Sequence, residues 1–291
     1  MFKLLIGILL NRVTWEVKQI IEELEKRNIK YKLLNNQKIY FKLTKEKDLL
    51  NDFSIILERS LSFFRGLYSA AILETKGYKV INNYECMNLT GNKLLTSLKL
   101  IENDIPTPLT CIAYKDESAI EAIEQVVRYP TIIKPLVGSW GRLIAKLDDH
   151  NSAMSILEDR EAMGNVLQKI FYLQKNLIPS KAEAPTDLRV FVVGDKCIAA
   201  MGRYNPDKDF RSNIAIGGTA KPIQITKEIE KLSLQASKAV KGEIVGVDLM
   251  EDNGKLFVIE VNGTPQFKGV ATATKINIAA EIVDYIIENY Q

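Results

Sequence analysis

FVIEVNGTPQFKG, residues 257–269, starts as a buried β-strand and then breaks its own pattern. Phe257, Val258, Ile259 and Val261 have the apolar, β-branched character of a strand in a core. Glu260 sits inside that run, and a buried carboxylate is costly unless it has a partner. Residues i and i+2 of a strand share a face, so Glu260 and Asn262 project together. Just upstream, EDNGK (251–255) has the Asn-Gly centre of a tight hairpin, preceded by the apolar run around Asp248. Pairing the two strands can bring Asp248, Glu260 and Asn262 onto one face. Three hard oxygen donors there suit Mg²⁺. A structural network in which Asp248 and Glu260 pair with lysine or arginine is the alternative.

The rest of the chain limits what such a site serves. It has 291 residues, 46% hydrophobic and 26% charged, enough for two or three globular domains. The net charge of +3 is too small to imply a nucleic-acid protein, and leaves room for an acidic partner met by a local basic patch. Cys86, Cys111 and Cys197 are far apart and odd in number, with no metal-ligand spacing, which fits a reduced, cytoplasmic setting. His150 is the only histidine, at a strand-to-helix turn, and reads as a surface residue. MFKLLIGILL is short and interrupted by Asn11 and Arg12, so it reads as a first strand, not a signal peptide or membrane span.

Strand and helix patterns alternate over residues 1–85: strands at 3–10, 29–34 and 53–57, and helices at 15–27 and 64–76. This implies a small parallel sheet covered by helices. Residues 86–172 read as an α+β domain: a helix over 89–102, the breaker NDIPTP, a strand at 110–113, a helix at 119–127, strands at 131–134 and 143–147, a helix at 152–161 and a strand at 167–174. Residues 173–291 read as an antiparallel sheet with flanking helices. Its strands lie at 188–193, 197–203, 243–250 and 255–261, with helices at 225–240 and 276–289.

Two further segments carry candidate chemistry. KPLVGSWGR (134–142) places Lys134 at a strand end, then Gly138, Ser139, Trp140, Gly141 and Arg142, and glycines let backbone N–H groups approach phosphate closely. It matches neither common phosphate-loop pattern, so a plain turn is the competing reading. Lys93, after Gly91, is a possible second cation at a helix start. RYNPDKDFRSNIAIGG (203–218), with Arg203, Arg211 and Asn213, and Arg189 upstream, suits recognition of carboxylate or phosphate; a solvated loop is the alternative.

Taken in order, these segments resemble the ATP-grasp superfamily, and within it the RimK-like carboxylate–amine ligases of LysX/ArgX type, over nearly the whole chain. GNKLLTSLKLIENDIPTP resembles a first nucleotide-binding lysine helix. IIKPLVGSWGRLIAK is similar to a second lysine strand and glycine-rich flap, FYLQKNLI to the hinge that packs on adenine, and VGVDLM and VIEVNG to the metal strands. The early ERSLSFFRGLYSAAILE is similar to the group's N-terminal domain.

The resemblance implies an ATP-grasp fold of α/β and α+β class, in which a small parallel domain precedes two α+β domains that clasp ATP. It implies ATP and two Mg²⁺ ions as cofactors, with Asp248, Glu260 and Asn262 as metal ligands. Lys93, Lys134, Gly138, Ser139, Trp140, Gly141, Arg142, Gln174, Lys175 and Leu177 would bind the nucleotide. Arg189, Arg203 and Asn213 would position an acyl phosphate and the donor carboxylate. Arg59, Arg211 and Gly263, Thr264, Pro265, Gln266, Phe267 and Lys268 would meet the incoming amino acid. The implied partners are an amino acid and the C-terminal glutamate of a small acidic carrier protein, LysW, in lysine or arginine biosynthesis. A homo-oligomer, dimer or tetramer, is also implied.

Three places depart from the family pattern. GNK replaces Gly-Asp-Lys; QKN (174–176) replaces Gln-Glu-aromatic at the hinge; and PQFKG (265–269) is similar to the glutamate-type Pro-Glu-Phe-Lys-Gly but carries Gln266 for Glu. The proline and final glycine favour glutamate over 2-aminoadipate. A RimK-like glutamate ligase for a ribosomal protein or a cofactor, and a non-catalytic nucleotide-binding relative, are the competing expectations.

Overall fold

The computed structural model describes residues 4–47, 52–138, 142–180, 183–204 and 219–290. The chain runs β1 (Leu5–Leu10), α1 (Trp15–Lys26), β2 (Lys30–Asn35), β3 (Ile55–Glu58), α2 (Phe63–Thr75) and β4 (Val80–Ile81). These strands form a fully parallel sheet in the order β2-β1-β3-β4. β1 is central and apolar on both faces, so LIGILL reads as a continuous run where a half-exposed strand would alternate. α1 starts where the Thr14 hydroxyl accepts the Val17 N–H, and buries Val17, Ile20 and Leu24.

Next come α3 (Tyr84–Thr90), α4 (Lys93–Glu102), β5 (Thr110–Ala113), α5 (Asp116–Ala122, continued by a wider turn to Val127), β6 (Thr131–Lys134), β7 (Ala145–Leu147), α6 (His150–Met163) and β8 (Phe171–Lys175). The second sheet is antiparallel, in the order β5-β8-β6-β7, and packs Ile133, Leu147, Phe171 and Leu173 against α5 and α6.

The last part holds β9 (Asp187–Val193), β10 (Lys196–Tyr204), β11 (Thr219–Pro222), α7 (Lys227–Ala239), β12 (Ile244–Asp252), β13 (Lys255–Asn262), α8 (Lys268–Thr274) and α9 (Ile278–Tyr290). The third sheet is antiparallel, in the order β11-β10-β9-β12-β13. Asn253 and Gly254, with φ of 52° and 78°, make the turn expected for Asn-Gly.

Several elements correct the sequence reading. The helix expected over 89–102 is two helices. Asn92 accepts the N–H groups of Leu94 and Leu95 and so starts a new one, while a side chain at Gly91 would overlap the Phe63 ring. The strand expected from 167 begins at Phe171, because Asn165 holds the N–H groups of Leu167 and Gln168 in a turn. β4, β11 and α8 were not expected. β4 is two residues long, and α8 follows Pro265 too closely for helical spacing to show.

The third sheet has two uses for its faces. Val190, Val192, Val245, Val247 and Leu249 point to one core, under α7. The opposite face is core at one end only, where Phe191, Val193 and Ile244 join Ile6, Ile8, Leu57 and α9. At its other end, the strands that carry these residues turn Arg189, Asp248 and Met250 to a cleft. Helix α9 therefore closes the first domain and the third sheet into one core.

Candidate active site

A cleft of about 440 Å³ lies between the second and third sheets, with its mouth bordered by the 60–63 segment of the first domain. The register of β12 and β13 explains why an acidic residue interrupts this apolar strand. In the ladder Asp248 faces Glu260 and Leu249 faces Val258, so β13 carries one extra residue, Ile259. This bulge shifts the phase of the strand. Val258 and Val261, three apart, both enter the core under α7, while Ile259, Glu260 and Asn262 all line the cleft. Glu260 is thus an acidic residue at an open wall.

A charged row crosses the sheet. Arg189 pairs in register with Asp248, and Asp248 with Glu260. Arg189 donates to Asp248 through Nε at 2.7 Å and Nη2 at 2.5 Å, and Arg203 reaches the same carboxylate at 3.1 Å. Burial alone would raise the Asp248 carboxyl; the two guanidinium groups outweigh it and hold it below the usual range. Glu260 lies 3.3 Å from Lys93 Nζ, which also donates to the Gly138 carbonyl at 3.1 Å. Asn262 donates weakly to Gly246 O, at 3.4 Å. Among the described residues no group of three Asp, Glu, His or Cys gathers as a metal cage. The donor set is two carboxylates and one amide, all hard oxygen, beside an open volume. That chemistry fits Mg²⁺ shared with a ligand's own oxygens better than a closed protein site.

Lys134, at the end of β6, lines the same cleft and donates to Gln174 Oε1 at 2.6 Å. Burial, helped by the nearby Lys93, pulls its ammonium down to about 8. Gln174 is itself fixed by Thr110 and Tyr172, so it aims Lys134 as well as lining the wall. Lys175 is held by Asp252 of β12 at 3.1 Å. Leu177, Ile132, Ile144, Met250 and Ile259 supply the apolar part of the lining, and Gly138 and the exposed Arg142 also line the cleft.

Gly263, Thr264, Pro265 and Gln266 line the mouth. Pro265 reaches the sheet because Gly246 has no side chain; a Cβ there would stand 3.1 Å from that of Pro265. Phe267 and Arg59 are buried behind this loop and do not line the cleft; Arg59 Nη2 donates to the Pro265 carbonyl at 2.7 Å. Lys268 is exposed as the first residue of α8, also off the cleft wall. Ser139, Trp140, Gly141, Arg211 and Asn213 lie outside the described residues.

The sequence reading missed Asp187. It lies two residues before Arg189 on β9, so the two share a face, the same i, i+2 signal that singled out Glu260 and Asn262. It faces Arg203 across the ladder and bonds to it. Burial lifts its carboxyl to about 6 despite Arg203, and Asp248 nearby adds to the rise.

Comparisons with known proteins agree with this geometry. Residues 90–286 match the RimK-like ATP-grasp domain, and residues 6–89 match the LysX preATP-grasp domain. The chain is 35% identical to glutamate–LysW ligase ArgX of Sulfurisphaera tokodaii, over 97% of this chain and 98% of that one. It is 31% identical to α-aminoadipate–LysW ligase LysX of Saccharolobus solfataricus, over 94% and 98%. In three dimensions it is similar to the ATP-grasp ligase PsnB in complex with a precursor variant, Mg and ADP. The TM-score is 0.76 at 18% identity, covering 98% of each chain. A parallel first sheet, two further sheets facing each other across a lysine-lined cleft, and matches over nearly the full length give one conclusion: the chain belongs to the RimK-like ATP-grasp ligases of the LysX/ArgX type.

Proposed function

We propose that this enzyme joins the α-amino group of glutamate to the C-terminal glutamate of a small acidic amino-group carrier protein, using ATP and Mg²⁺. The observation that carries the reading is the loop Gly263–Gln266, set at the cleft mouth directly beyond Asn262. Its Pro-x-Phe-Lys-Gly pattern, and the greater identity to a relative named for glutamate than to one named for α-aminoadipate, favour glutamate.

The chemistry follows from charge. A carboxylate is a poor acyl donor, and phosphorylation turns it into an acyl phosphate that an amine can attack. Lys93 and Lys134 face the volume where phosphate groups would lie. Lys93 would exchange the carboxylate of Glu260 for a phosphate oxygen, freeing Glu260 to join Asp248 and Asn262 around Mg²⁺. That ion would offset negative charge on the transferred phosphoryl group. Arg189 and Arg203, with Asn213, would orient the activated carboxylate, and Gly138 to Gly141 would cover the phosphates. The apolar lining at Leu177 and Met250 suits a flat base such as adenine.

The test is incubation with ATP, Mg²⁺, a LysW-like carrier and single amino acids, following phosphate release and carrier mass. The expected result is phosphate release that needs both carrier and glutamate, with one glutamyl residue added. Tight nucleotide binding without turnover on any acceptor would sink the enzymatic reading for this carrier.

A further inference from the structure

The loop at the cleft mouth is held by the first domain. Thr264 donates to Glu58 at 2.9 Å, and Arg59 donates to the Pro265 carbonyl at 2.7 Å. Phe267 stacks edge-on against Trp15, with ring centroids 5.8 Å apart. Glu16, in the first turn of α1, is 4% exposed, and one end of the Gln266 amide lies 2.7 and 3.1 Å from its two carboxylate oxygens, a contact that is a hydrogen bond only with the amide nitrogen turned to Glu16. The Lys268 backbone N–H reaches the same carboxylate at 3.3 Å.

A carboxylate can only accept hydrogen bonds, so it sorts the two ends of the Gln266 amide. The nitrogen turns to Glu16, and the oxygen turns away from it, on a residue that lines the cleft. We propose that Glu16 is a positioning residue for amino-acid selection, fixing Gln266 so that its carbonyl oxygen accepts a hydrogen bond from the incoming amine. This deepens the ligase reading and rests on it for the identity of the amine. The physical consequence is specific. A carboxylate at position 266 would stand against the buried Glu16 carboxylate, and two like charges in contact are costly. The neutral amide avoids that conflict: its nitrogen donates to Glu16 and its carbonyl oxygen is left to accept from the amine.

The test is a charge exchange. Wild type, Glu16→Gln, Gln266→Glu and the double variant are compared by KM for glutamate and for ATP, and by calorimetric binding of glutamate with ADP and Mg²⁺ present. Gln266→Glu sets two carboxylates against each other and is expected to weaken glutamate by about 10-fold or more. The double variant restores an amide–carboxylate pair and recovers most of that loss, with the KM for ATP within about twofold throughout. A double variant no better than Gln266→Glu, or a KM for ATP that moves in step with glutamate, overturns the proposal. Wild type that binds glutamate but transfers nothing to the carrier removes the ligase reading alone, because calorimetry still reads the coupling. Wild type that binds none of glutamate, 2-aminoadipate or the common amino acids overturns the inference itself.

Discussion

Lys134 shows what the cleft demands of a single residue. Its pKa falls from the ordinary 10.5 to about 8 because it is a buried cation beside a second one. The folded protein therefore gives up this proton before the unfolded chain does. Below pH 8 the charge costs stability, and that cost fades as pH rises from 8 towards 10.5. A nucleotide needs the charged form, so its affinity should fall as pH passes 8, when measured by calorimetry in the ligand-free enzyme. Lys134→Met should lose nucleotide binding yet unfold at a higher temperature, with a gain of about 1 kcal/mol. Equal stability of variant and wild type would argue against a strained lysine. On the facing wall, Glu260→Ala should lower turnover by about 1000-fold while leaving the fold intact, because the bulge already points Glu260 out of the core. Activity near wild type would remove Glu260 from the proposed metal set.

At the scale of elements, one side chain ties the end of β4 to the start of β12. Buried Asn82 donates to the carbonyls of Ile244 and Gly263 at 2.7 and 2.6 Å, and accepts the N–H groups of Glu243 and Ile244. Asn82→Ala leaves these backbone groups unpaired and should cost about 2–4 kcal/mol in denaturant unfolding. It should also loosen the turn that carries the Gly263–Gln266 loop, so, if that loop selects the amino acid as proposed, the KM for the amino acid should rise more than that for ATP. Asn82 is invisible in sequence because INNY has no periodicity and its partners lie more than 160 residues away. Where local pattern suffices, sequence spoke clearly: the parallel alternation of the first sheet, the Asn-Gly hairpin, and the shared face of Asp248, Glu260 and Asn262 were all legible. The bulge at Ile259 was not, because an extra residue leaves composition unchanged and alters only phase. Glu16 was not either, since one acidic residue in the first turn of a helix is what any helix favours. Its meaning depends on a loop 250 residues further on.

Across the whole molecule, the cleft is lined from two sides, by the second sheet and by the third. The second sheet has its own core with α5 and α6, while the first domain and third sheet share one through α9. A ligand that touches both should bind the two together. Saturating ADP with Mg²⁺, at about 100 times its dissociation constant, should add about 2.7 kcal/mol and raise the melting temperature. Chelating the metal should reverse much of that rise if Mg²⁺ bridges protein and phosphate. Hydrogen exchange should show the protection concentrated on β6, β8 and β13, and protection confined to one sheet would count against a bridging ligand.

The shared core has a consequence for recombination between relatives. Family boundaries fall between residues 89 and 90, yet Phe191, Val193 and Phe267 are covered by residues from before that boundary, and Glu16, Glu58 and Arg59 grip the loop beyond Asn262. A chimera cut at that seam would exchange much of a hydrophobic core together with the support of the Gly263–Gln266 loop. Its preference among amino acids should then follow the parent that gave the N-terminal segment, even though Lys93, Lys134 and the proposed metal set came from the other.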